Sequence, residues 1–225
     1  MKLNVLNLGK CEYNEALQIQ FDMLEKRQKK EIDDTLIIVE HPAVITMGRN
    51  KGDNNLMVSE EHLDSLGIQL VKATRGGDVT YHGQGQIVGY PIVDLRSLGM
   101  GIKEFVDHLE EVFIKLLKDK YNIAAGRIDE HKGVWVEDDK ITAIGLSVKH
   151  GVTMHGFAFN VNTNLSHFDL IVPCGIQGKG VVSIEKLIGK KADFDELTND
   201  VANYFCKIYK YDECKQIKLE SLKGN

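Results

Sequence analysis

Short apolar or alternating runs along the chain predict β-strands. Residues 1–8 alternate apolar and polar side chains, as a half-buried strand does, and residues 35–39 form a short apolar run. Residues 68–73 and 87–95 repeat the strand pattern, but Pro91 indicates a sheet edge or a bulge, because proline cannot donate to a β-ladder. A hairpin around an acidic turn and one further strand are predicted at residues 133–137, 140–148 and 153–161.

Apolar residues at three- and four-residue steps predict helices between these strands. One helix covers residues 13–30 with Phe21 in its apolar stripe, and residues 105–117 carry the clearest stripe, which we interpret as core. Residues 59–67 begin with a serine N-cap and end in glycine, which is typical of a short helix. Residues 193–205 start with an aspartate–glutamate capping pair and predict the last long helix.

The order of these elements favours an α+β fold. Strands alternate with a few helices, and the adjacent hairpin strands argue against a strict β-α-β winding. A length of 225 residues with 43% hydrophobic and 27% charged residues is ordinary globular composition. No repeat, low-complexity tract or linker interrupts the sequence, so we expect one domain over residues 1–225.

Charge and cysteine content narrow the function classes. A formal charge of −5 provides no general attraction for nucleic acid or an anionic membrane. The N-terminal segment lacks the apolar core of a signal peptide, and no apolar run approaches the roughly eighteen residues of a membrane span. The four cysteines are scattered without a C-x-x-C pair, which indicates neither a disulfide framework nor a structural zinc. We therefore expect a soluble cytoplasmic protein without nucleic-acid or membrane partners.

The sequence RGGDVTYHGQGQ at residues 75–86 is the most unusual stretch of the chain. Four glycines lie within ten residues between an arginine and the strand that follows, so the backbone must turn tightly and allow close approach. Gly-Gly-Asp and His-Gly also occur in ordinary hairpins and bulges. No Gly-Lys-Ser/Thr follows, and a strand comes next where a dinucleotide site has a helix. We interpret the stretch as a binding loop between strands.

Cys174 is the cysteine whose surroundings favour reactivity. A flanking proline and glycine hold it on a sharp turn, whereas Cys206 lies within a predicted helix and fits a small buried hydrophobe. A thiol with a pKa of about 8.5 is mostly protonated at neutral pH, so a nucleophilic cysteine needs a cation or base beside it. Lys140, His82 and His155 are the candidates, although Lys140 also fits a solvated turn lysine.

Five motifs follow one another along the chain. They are RGGxxTYHGxGQ at 75–86, GVWV at 133–136, KIxAIG at 140–145, HGFAxNV at 155–161 and PCG at 173–175. In this order and spacing they closely resemble the lipoyl(octanoyl)transferase family, over about two thirds of the chain from Glu40 to Ser183. Gln84 and Ala43 stand where that family has proline, which changes loop stiffness rather than reacting groups.

The resemblance implies an acyltransferase of lipoate biosynthesis and protein lipoylation. Such an enzyme takes an octanoyl group from octanoyl-acyl carrier protein. It places the group on a lysine of the lipoyl domains of 2-oxoacid dehydrogenases or of the glycine cleavage H protein. Cys174 would attack the donor thioester and form an acyl-enzyme, Lys140 would favour the thiolate and accept a proton from the incoming amine, and His82 would be a second proton carrier. The scheme needs no ATP, metal or other cofactor, because thioester exchange is nearly even in energy and amide formation is downhill.

The resemblance also implies a fold and an acyl site. The fold is similar to the biotin and lipoate protein ligase catalytic domain, a single domain with a mixed, largely antiparallel sheet flanked by helices. Small residues suit a slot that holds a thin alkyl chain between backbone walls. The family pattern lines this site with Arg75, Gly76, Gly77, Asp78, Val79, Thr80, Tyr81, His82, Ala143, Ile144, Gly145, Gly156, Phe157 and Ala158.

Two alternative functions stay open. An ATP-dependent ligase of the lipoate or biotin type would activate a free acid as an acyl-adenylate and would not need Cys174. A non-catalytic relative would only bind acylated carrier proteins, and it would need neither Cys174 nor Lys140.

Overall fold

Two β-sheets form the framework of the molecule, for which the computed structural model describes residues 1–49, 55–172 and 179–222. Within those ranges the larger sheet has nine strands and the smaller sheet three. The larger sheet contains β1 (Lys2–Lys10), β2 (Asp34–Glu40), β6 (Gln86–Ile92), β7 (Gly126–Ile128), β8 (His131–Val136), β9 (Asp139–Lys149), β10 (Val152–Asn160), β11 (Gly180–Val181) and β12 (Glu213–Ile217). The smaller sheet contains β3 (Val44–Met47), β4 (Gln69–Lys72) and β5 (Val79–His82).

The larger sheet is mixed and largely antiparallel. Its strand order is β12-β1-β2-β6-β10-β9-β8-β7, and β11 pairs with β9 outside this path. Strand β1 runs parallel to β2 and β12, and β11 runs parallel to β9. The other neighbours in this order, β2–β6, β6–β10, β10–β9, β9–β8 and β8–β7, are antiparallel. The α+β class and the sheet type predicted from the sequence are confirmed.

Helices connect and cover these strands. The described residues contain α1 (Tyr13–Gln28), α2 (Glu60–Ser65), α3 (Leu95–Leu98), α4 (Ile102–Tyr121), α5 (Ile184–Ile188) and α6 (Phe194–Ile208), with 3-10 helices at Leu165–Leu170 and Leu219–Leu222. Both predicted N-caps form, since Ser59 accepts a hydrogen bond from the backbone N–H of His62, and Asp193 accepts one from Glu196. Within the described ranges, no helix combines the length and the apolar character needed to cross a membrane.

Helices α4 and α6 cover one face of the larger sheet, and α1 covers the other. The ring of Phe113 on α4 lies 4.8 Å from that of Phe157 and 5.0 Å from that of Phe159 between centroids, which confirms the α4 stripe as core. On α1 the predicted stripe is wrong at one position, because Phe21 is 39% exposed. The neighbouring Gln20 is fully buried in its place.

Pro91 was expected at a sheet edge or a bulge, and the sheet edge is wrong, because the proline lies in an interior strand. On one side, β6 pairs with β2 both before and after the proline. On the other side, pairing with β10 stops at Gly89 and resumes at the isolated bridge between Asp94 and Val152. In the gap Pro91, which has no N–H, lies opposite His155, whose φ of +59° is in the left-handed region. The proline therefore interrupts the ladder inside the sheet.

Side chains satisfy the backbone groups that this interruption releases. The N–H of His155 donates to Gln20 Oε1 at 3.0 Å, and Thr153 Oγ1 donates to the carbonyl of Pro91 at 2.6 Å. A buried backbone group without a partner costs about as much free energy as a lost hydrogen bond. Gln20 thus replaces an apolar residue on the inner face of α1 because β10 needs an acceptor there.

A buried ion pair joins α1 to β2. Arg27 Nε donates to Asp34 Oδ1 at 2.7 Å, and the two side chains are only 10% and 4% exposed. Asp34 also accepts from the backbone N–H of Asp94 at 3.0 Å and from the Tyr211 hydroxyl at 2.9 Å. Arg27 donates in addition to Ser97 Oγ at 3.2 Å. No sequence pattern predicted this cluster, which ties α1 and α3 to the strands between them.

We expect Arg27→Ala to lower the free energy of unfolding by about 3 kcal/mol, because it leaves the Asp34 carboxylate buried without its charged partner. Lys29→Ala is the matched control, since it removes an exposed ion pair with Glu25 on the same helix and should change stability little. Urea unfolding measures both variants. Equal losses in the two would contradict a special role for the buried pair.

Candidate active site

A groove opens between the two sheets. Strands β6, β9 and β10 form its floor, β5 and the loop at 75–78 form the opposite wall, and α1 contributes one side chain. The groove with its open mouth contains about 490 Å³ of empty space, open solvent included. Its lining residues are Tyr13, Arg75, Gly76, Gly77, Asp78, Thr80, His82, Val88, Tyr90, Ala143, Ile144, Gly145, His155, Gly156, Phe157 and Ala158.

Glycines at two facing positions let the loop lie directly on the floor of the groove. The N–H of Gly76 donates to the carbonyl of Leu146 at 3.1 Å. A Cβ at Gly76 would lie 2.9 Å from that carbonyl oxygen, and a Cβ at Gly145 would lie 2.8 Å from the oxygen of Gly76. Both distances are too short for a side chain, so only glycine permits this contact between two backbones.

Arg75 anchors the loop to the smaller sheet. The side chain is buried, and its Nε donates to Thr46 Oγ1 at 3.1 Å. Its Nη2 donates to the same hydroxyl at 2.8 Å and also to the Thr46 carbonyl, while Nη1 donates to the carbonyl of Gly76 at 3.1 Å. A guanidinium held by several hydrogen bonds has a fixed orientation. The predicted binding loop is therefore a rigid one, and its later part, Val79–His82, is strand β5 rather than loop.

His82 of β5 has a tautomer that its neighbours determine. Its Nδ1 lies 2.8 Å from Gln86 Oε1. The Gln86 amide nitrogen donates to the Tyr81 carbonyl at 3.2 Å and to Asn160 Oδ1 at 2.9 Å, while Asn160 Nδ2 donates to the carbonyl of Val182 at 3.1 Å. The Gln86 oxygen must therefore accept, so Nδ1 of His82 carries the proton. Among the described residues no hydrogen bond reaches its Nε2, which leaves that lone pair for the groove.

Burial keeps three histidines around the groove neutral. Burial, together with repulsion from the nearby His41, lowers the pKa of His82 to about 3. Burial lowers the pKa of His41 to about 4 and that of His155 to about 4, where the charges of Arg75 and Arg49 contribute as well. All three imidazoles are uncharged at neutral pH. The described residues contain no group of three or more His, Cys, Asp or Glu side chains arranged to hold a metal ion.

Two tyrosines pack against these histidines. The ring of Tyr13 stacks on that of His82, with 6.2 Å between centroids and 13° between planes. Nδ1 of His41 donates to the Cys11 carbonyl at 2.7 Å, so its Nε2 accepts from the Tyr90 hydroxyl at 2.7 Å. Burial raises the pKa of Tyr90 well above its usual value, which keeps this hydroxyl protonated. His41 therefore supports the groove wall from behind.

Lys140 lies at one end of the groove. Its side chain is only 7% exposed, so its interpretation as a solvated turn lysine is wrong. Its Nζ lies 4.7 Å from the centroid of the Trp135 ring, a favourable cation–π distance. A small cavity beside Lys140 shares Thr80, Ala143 and Ala158 with the groove. The lysine and the groove thus form one continuous site.

Most of the chain matches one protein family. Residues 12–206 match the family described as "Lipoyl protein ligase A/B catalytic domain". The chain belongs to this family. Among its relatives, the octanoyltransferase of Alkaliphilus metalliredigens (strain QYMF) is 57% identical over 212 residues, which cover 94% of this chain and 97% of the relative. The resemblance to lipoyl(octanoyl)transferases is therefore confirmed, and this family member is an enzyme, an acyltransferase.

Solved structures share the fold of this ligase A/B family member. A putative lipoate protein ligase from T. acidophilum matches with a TM-score of 0.76 at 17% identity, covering 99% of this chain and 92% of that chain. The biotin protein ligase from Aquifex aeolicus, in complex with biotin and ATP, matches with a TM-score of 0.56 at 12% identity, covering 92% and 70%. The predicted similarity to the biotin and lipoate protein ligase catalytic domain is confirmed.

The groove of this family member brings together most of the residues predicted to line the acyl site. Val79 and Tyr81 are the exceptions, because successive side chains of β5 point to opposite sides, and these two pack into the core of the smaller sheet. Cys174 lies outside the described residues. The binding and catalytic roles of all these residues stay predictions.

Four groove residues were absent from the predicted lining. Tyr13 and Val88 have the spacing of ordinary core positions in a helix and a strand, and Tyr90 precedes a proline without any motif. His155 did carry a signal, since it opens the motif HGFAxNV, but the sequence suggested only a role beside a thiol. The structure instead places its ring on the groove wall.

The three buried histidines predict a loss of stability in mild acid. An imidazole has a pKa of about 6.5 in the unfolded chain, whereas in the folded protein the values for His82, His41 and His155 are about 3, 4 and 4. Below about pH 6.5 the unfolded chain binds more protons, so the free energy of unfolding falls as the pH decreases. Each histidine contributes up to about 1.4 kcal/mol per pH unit.

Urea unfolding at several values between about pH 7 and pH 5 measures this slope. We expect His41→Gln to reduce the slope by the share of one histidine, whatever its effect on stability at neutral pH. A slope that is unchanged in the variant would show that His41 titrates normally in the folded protein.

Proposed function

We propose that this enzyme transfers an octanoyl group from octanoyl-acyl carrier protein to a lysine of lipoyl-accepting domains, in 2-oxoacid dehydrogenases and the glycine cleavage H protein. The proposal is supported chiefly by one observation, the buried Lys140 at the end of a groove with backbone walls. The name of the relative from A. metalliredigens, octanoyltransferase, agrees with it. The reaction belongs to lipoate biosynthesis.

The groove suits a thin, uncharged acyl chain. Its floor at Gly145 and Gly156 carries no side chains, and Ala143 and Ala158 project only methyl groups. The histidines on its walls are neutral at physiological pH, as their pKa values lie far below 7. Each buried methylene contributes roughly 0.8 kcal/mol to binding. A chain of eight carbons would thus gain most of its affinity from this contact.

The first chemical step is thioester exchange at Cys174. The thiolate sulfur attacks the octanoyl carbonyl carbon, the new S–C bond forms, and the bond to the carrier sulfur breaks. The carrier leaves as a thiol after taking one proton from the Lys140 ammonium, which becomes a neutral amine. A lysine ammonium near the sulfur favours the thiolate. Val172 and Lys179, which precede and follow Cys174 in the chain, line a cavity that shares Phe168 and Val181 with the small cavity beside Lys140.

The second step resolves the acyl-enzyme. The neutral amine of the target lysine attacks the same carbonyl carbon, an amide bond forms and the bond to Cys174 breaks. The amine loses one proton, which Lys140 accepts in its uncharged form, and the thiolate is restored. His82 has a pKa of about 3, because of burial first and of nearby positive charge, and is too weak a base to compete for this proton. Its Nε2 instead offers a hydrogen-bond acceptor inside the groove.

An ATP-dependent lipoate or biotin-type ligase is the second candidate. The match to a putative lipoate protein ligase, at a TM-score of 0.76, favours it at the level of the fold. A ligase would use free octanoate and ATP and would form no thioester on Cys174. The two candidates therefore differ in the donor they require.

We expect the purified protein to gain the mass of one octanoyl group when it is incubated with octanoyl-acyl carrier protein, and Cys174→Ala to gain none. Cys206→Ala is the matched control, since that thiol belongs to α6, away from the groove. Intact-protein mass spectrometry reports the adduct. If Cys174→Ala transferred octanoyl at the wild-type rate and required ATP and octanoate, the ligase function would be supported and the transferase proposal would be wrong.

Replacement of Lys140 by methionine tests the proton acceptor, because methionine keeps an apolar stem over Trp135 but has no charge. We expect Lys140→Met to slow amide formation by roughly 10²–10⁴-fold. Lys132→Met is the matched control, since that exposed amine pairs with Asp107 outside the groove and should leave the rate nearly unchanged. Single-turnover transfer to a lipoyl domain gives both rates, and equal rates in the two variants would exclude Lys140 from the reaction.

A further inference from the structure

His155 lies at the end of the groove opposite Lys140. Both residues belong to the β9–β10 hairpin, where His155 pairs with Leu146, six residues along β9 from Lys140. The small cavity beside Lys140 joins the groove at Ala143, and His155 lies three residues beyond that point. The groove thus has a reactive end and a far end.

The distance between these ends matches a medium-length acyl chain. At a rise of about 3.3 Å per residue, the three residues from Ala143 to Leu146 span roughly 10 Å. An extended octanoyl chain, with carbon–carbon bonds of about 1.5 Å, is roughly 9 Å long. A chain whose carbonyl lies at Ala143, where the cavity beside Lys140 meets the groove, therefore reaches His155 with its terminal methyl group.

The ring of His155 spans the groove from its floor to its opposite wall. Its backbone belongs to β10 on the floor, while its Nε2 lies 3.0 Å from the hydroxyl oxygen of Thr74, the residue before Arg75 on the opposite wall. Thr74 is exposed, so solvent lies just beyond the ring. The imidazole thus lies between this end of the groove and the exposed Thr74.

The backbone around His155 holds the ring firmly in this position. His155 has no backbone partner at Pro91, because proline lacks an N–H. The φ of His155, +59°, lies in the left-handed region, and its N–H donates to the buried Gln20. Its Nδ1 is buried without a hydrogen-bond partner among the described residues. A neutral imidazole contacts its neighbours largely through ring carbon atoms, so a methyl group can pack against it.

We propose that His155 closes the far end of the groove and so sets the preference of the enzyme for acyl chains of about eight carbons. This inference rests on the proposed transfer of acyl groups. It makes His155 a specificity-determining residue that contacts the chain end without taking part in the chemistry.

Two substitutions open the end without straining the backbone. His155→Asn shortens the side chain and His155→Gly removes it, and both residue types adopt positive φ more readily than histidine does. The matched control is His150→Asn, because His150 has a φ of +52° in the turn of the same hairpin but is exposed and does not line the groove. Circular dichroism identifies any variant that fails to fold, and each of the two variants tests the proposal without the other.

The measurement is the rate of acyl-enzyme formation with octanoyl-, decanoyl- and dodecanoyl-acyl carrier protein. We expect the decanoyl-to-octanoyl ratio to rise about tenfold in His155→Asn and further in His155→Gly, as two more methylenes become accommodated. His150→Asn should keep the wild-type ratio. If the wild type transfers octanoyl and both His155 variants keep its decanoyl-to-octanoyl ratio, His155 does not close the far end of the groove. A wild type that accepts no acyl group from any donor would instead refute the proposed function itself.

Discussion

The site depends on a contact between two backbones. The loop that begins at Arg75 lies on β9 so closely that Gly76 and Gly145 leave no room for a Cβ on either side. The hydrogen bond from Gly76 to Leu146 and the anchoring of Arg75 on Thr46 hold the small sheet against the large one. The width of the groove is therefore set by main-chain atoms, which cannot change rotamer. A cavity of this kind distinguishes ligands by their thickness more strictly than one lined by flexible side chains.

Burial determines the chemistry that the polar residues of the groove can perform. Desolvation holds the imidazoles neutral, and the amide of Gln86 and the carbonyl of Cys11 each fix which nitrogen of a histidine carries the proton. Neutral groups with fixed hydrogen-bond directions position a substrate but exchange protons poorly at neutral pH. Within the described residues this leaves Lys140 as the strongest candidate for proton transfer, and its Nζ lies 4.7 Å from the centroid of the Trp135 ring.

The sequence predicted the parts of this fold that follow from local periodicity. The α4 stripe from Phe105 to Leu117 and the hairpin of β8 and β9 form as expected, because a periodic apolar face specifies burial directly. The burial of Gln20 could not be predicted, because its partner, the backbone N–H of His155, is distant in sequence. That N–H lacks a ladder partner only because Pro91 interrupts the pairing on the neighbouring strand. The motifs indicated most of the residues that line the groove, but only the alternation of β5 separates Thr80 and His82 from Val79 and Tyr81.

The position of Pro91 has a consequence for solubility. A strand at the rim of a sheet with unpaired N–H and C=O groups is a template for another chain, and proteins protect such rims against aggregation. Here the unpaired stretch lies between β6 and β10, inside the sheet and not at its rim. One residue of β10 is thereby free from regular pairing, and no unpaired strand edge is created there that could pair with another molecule.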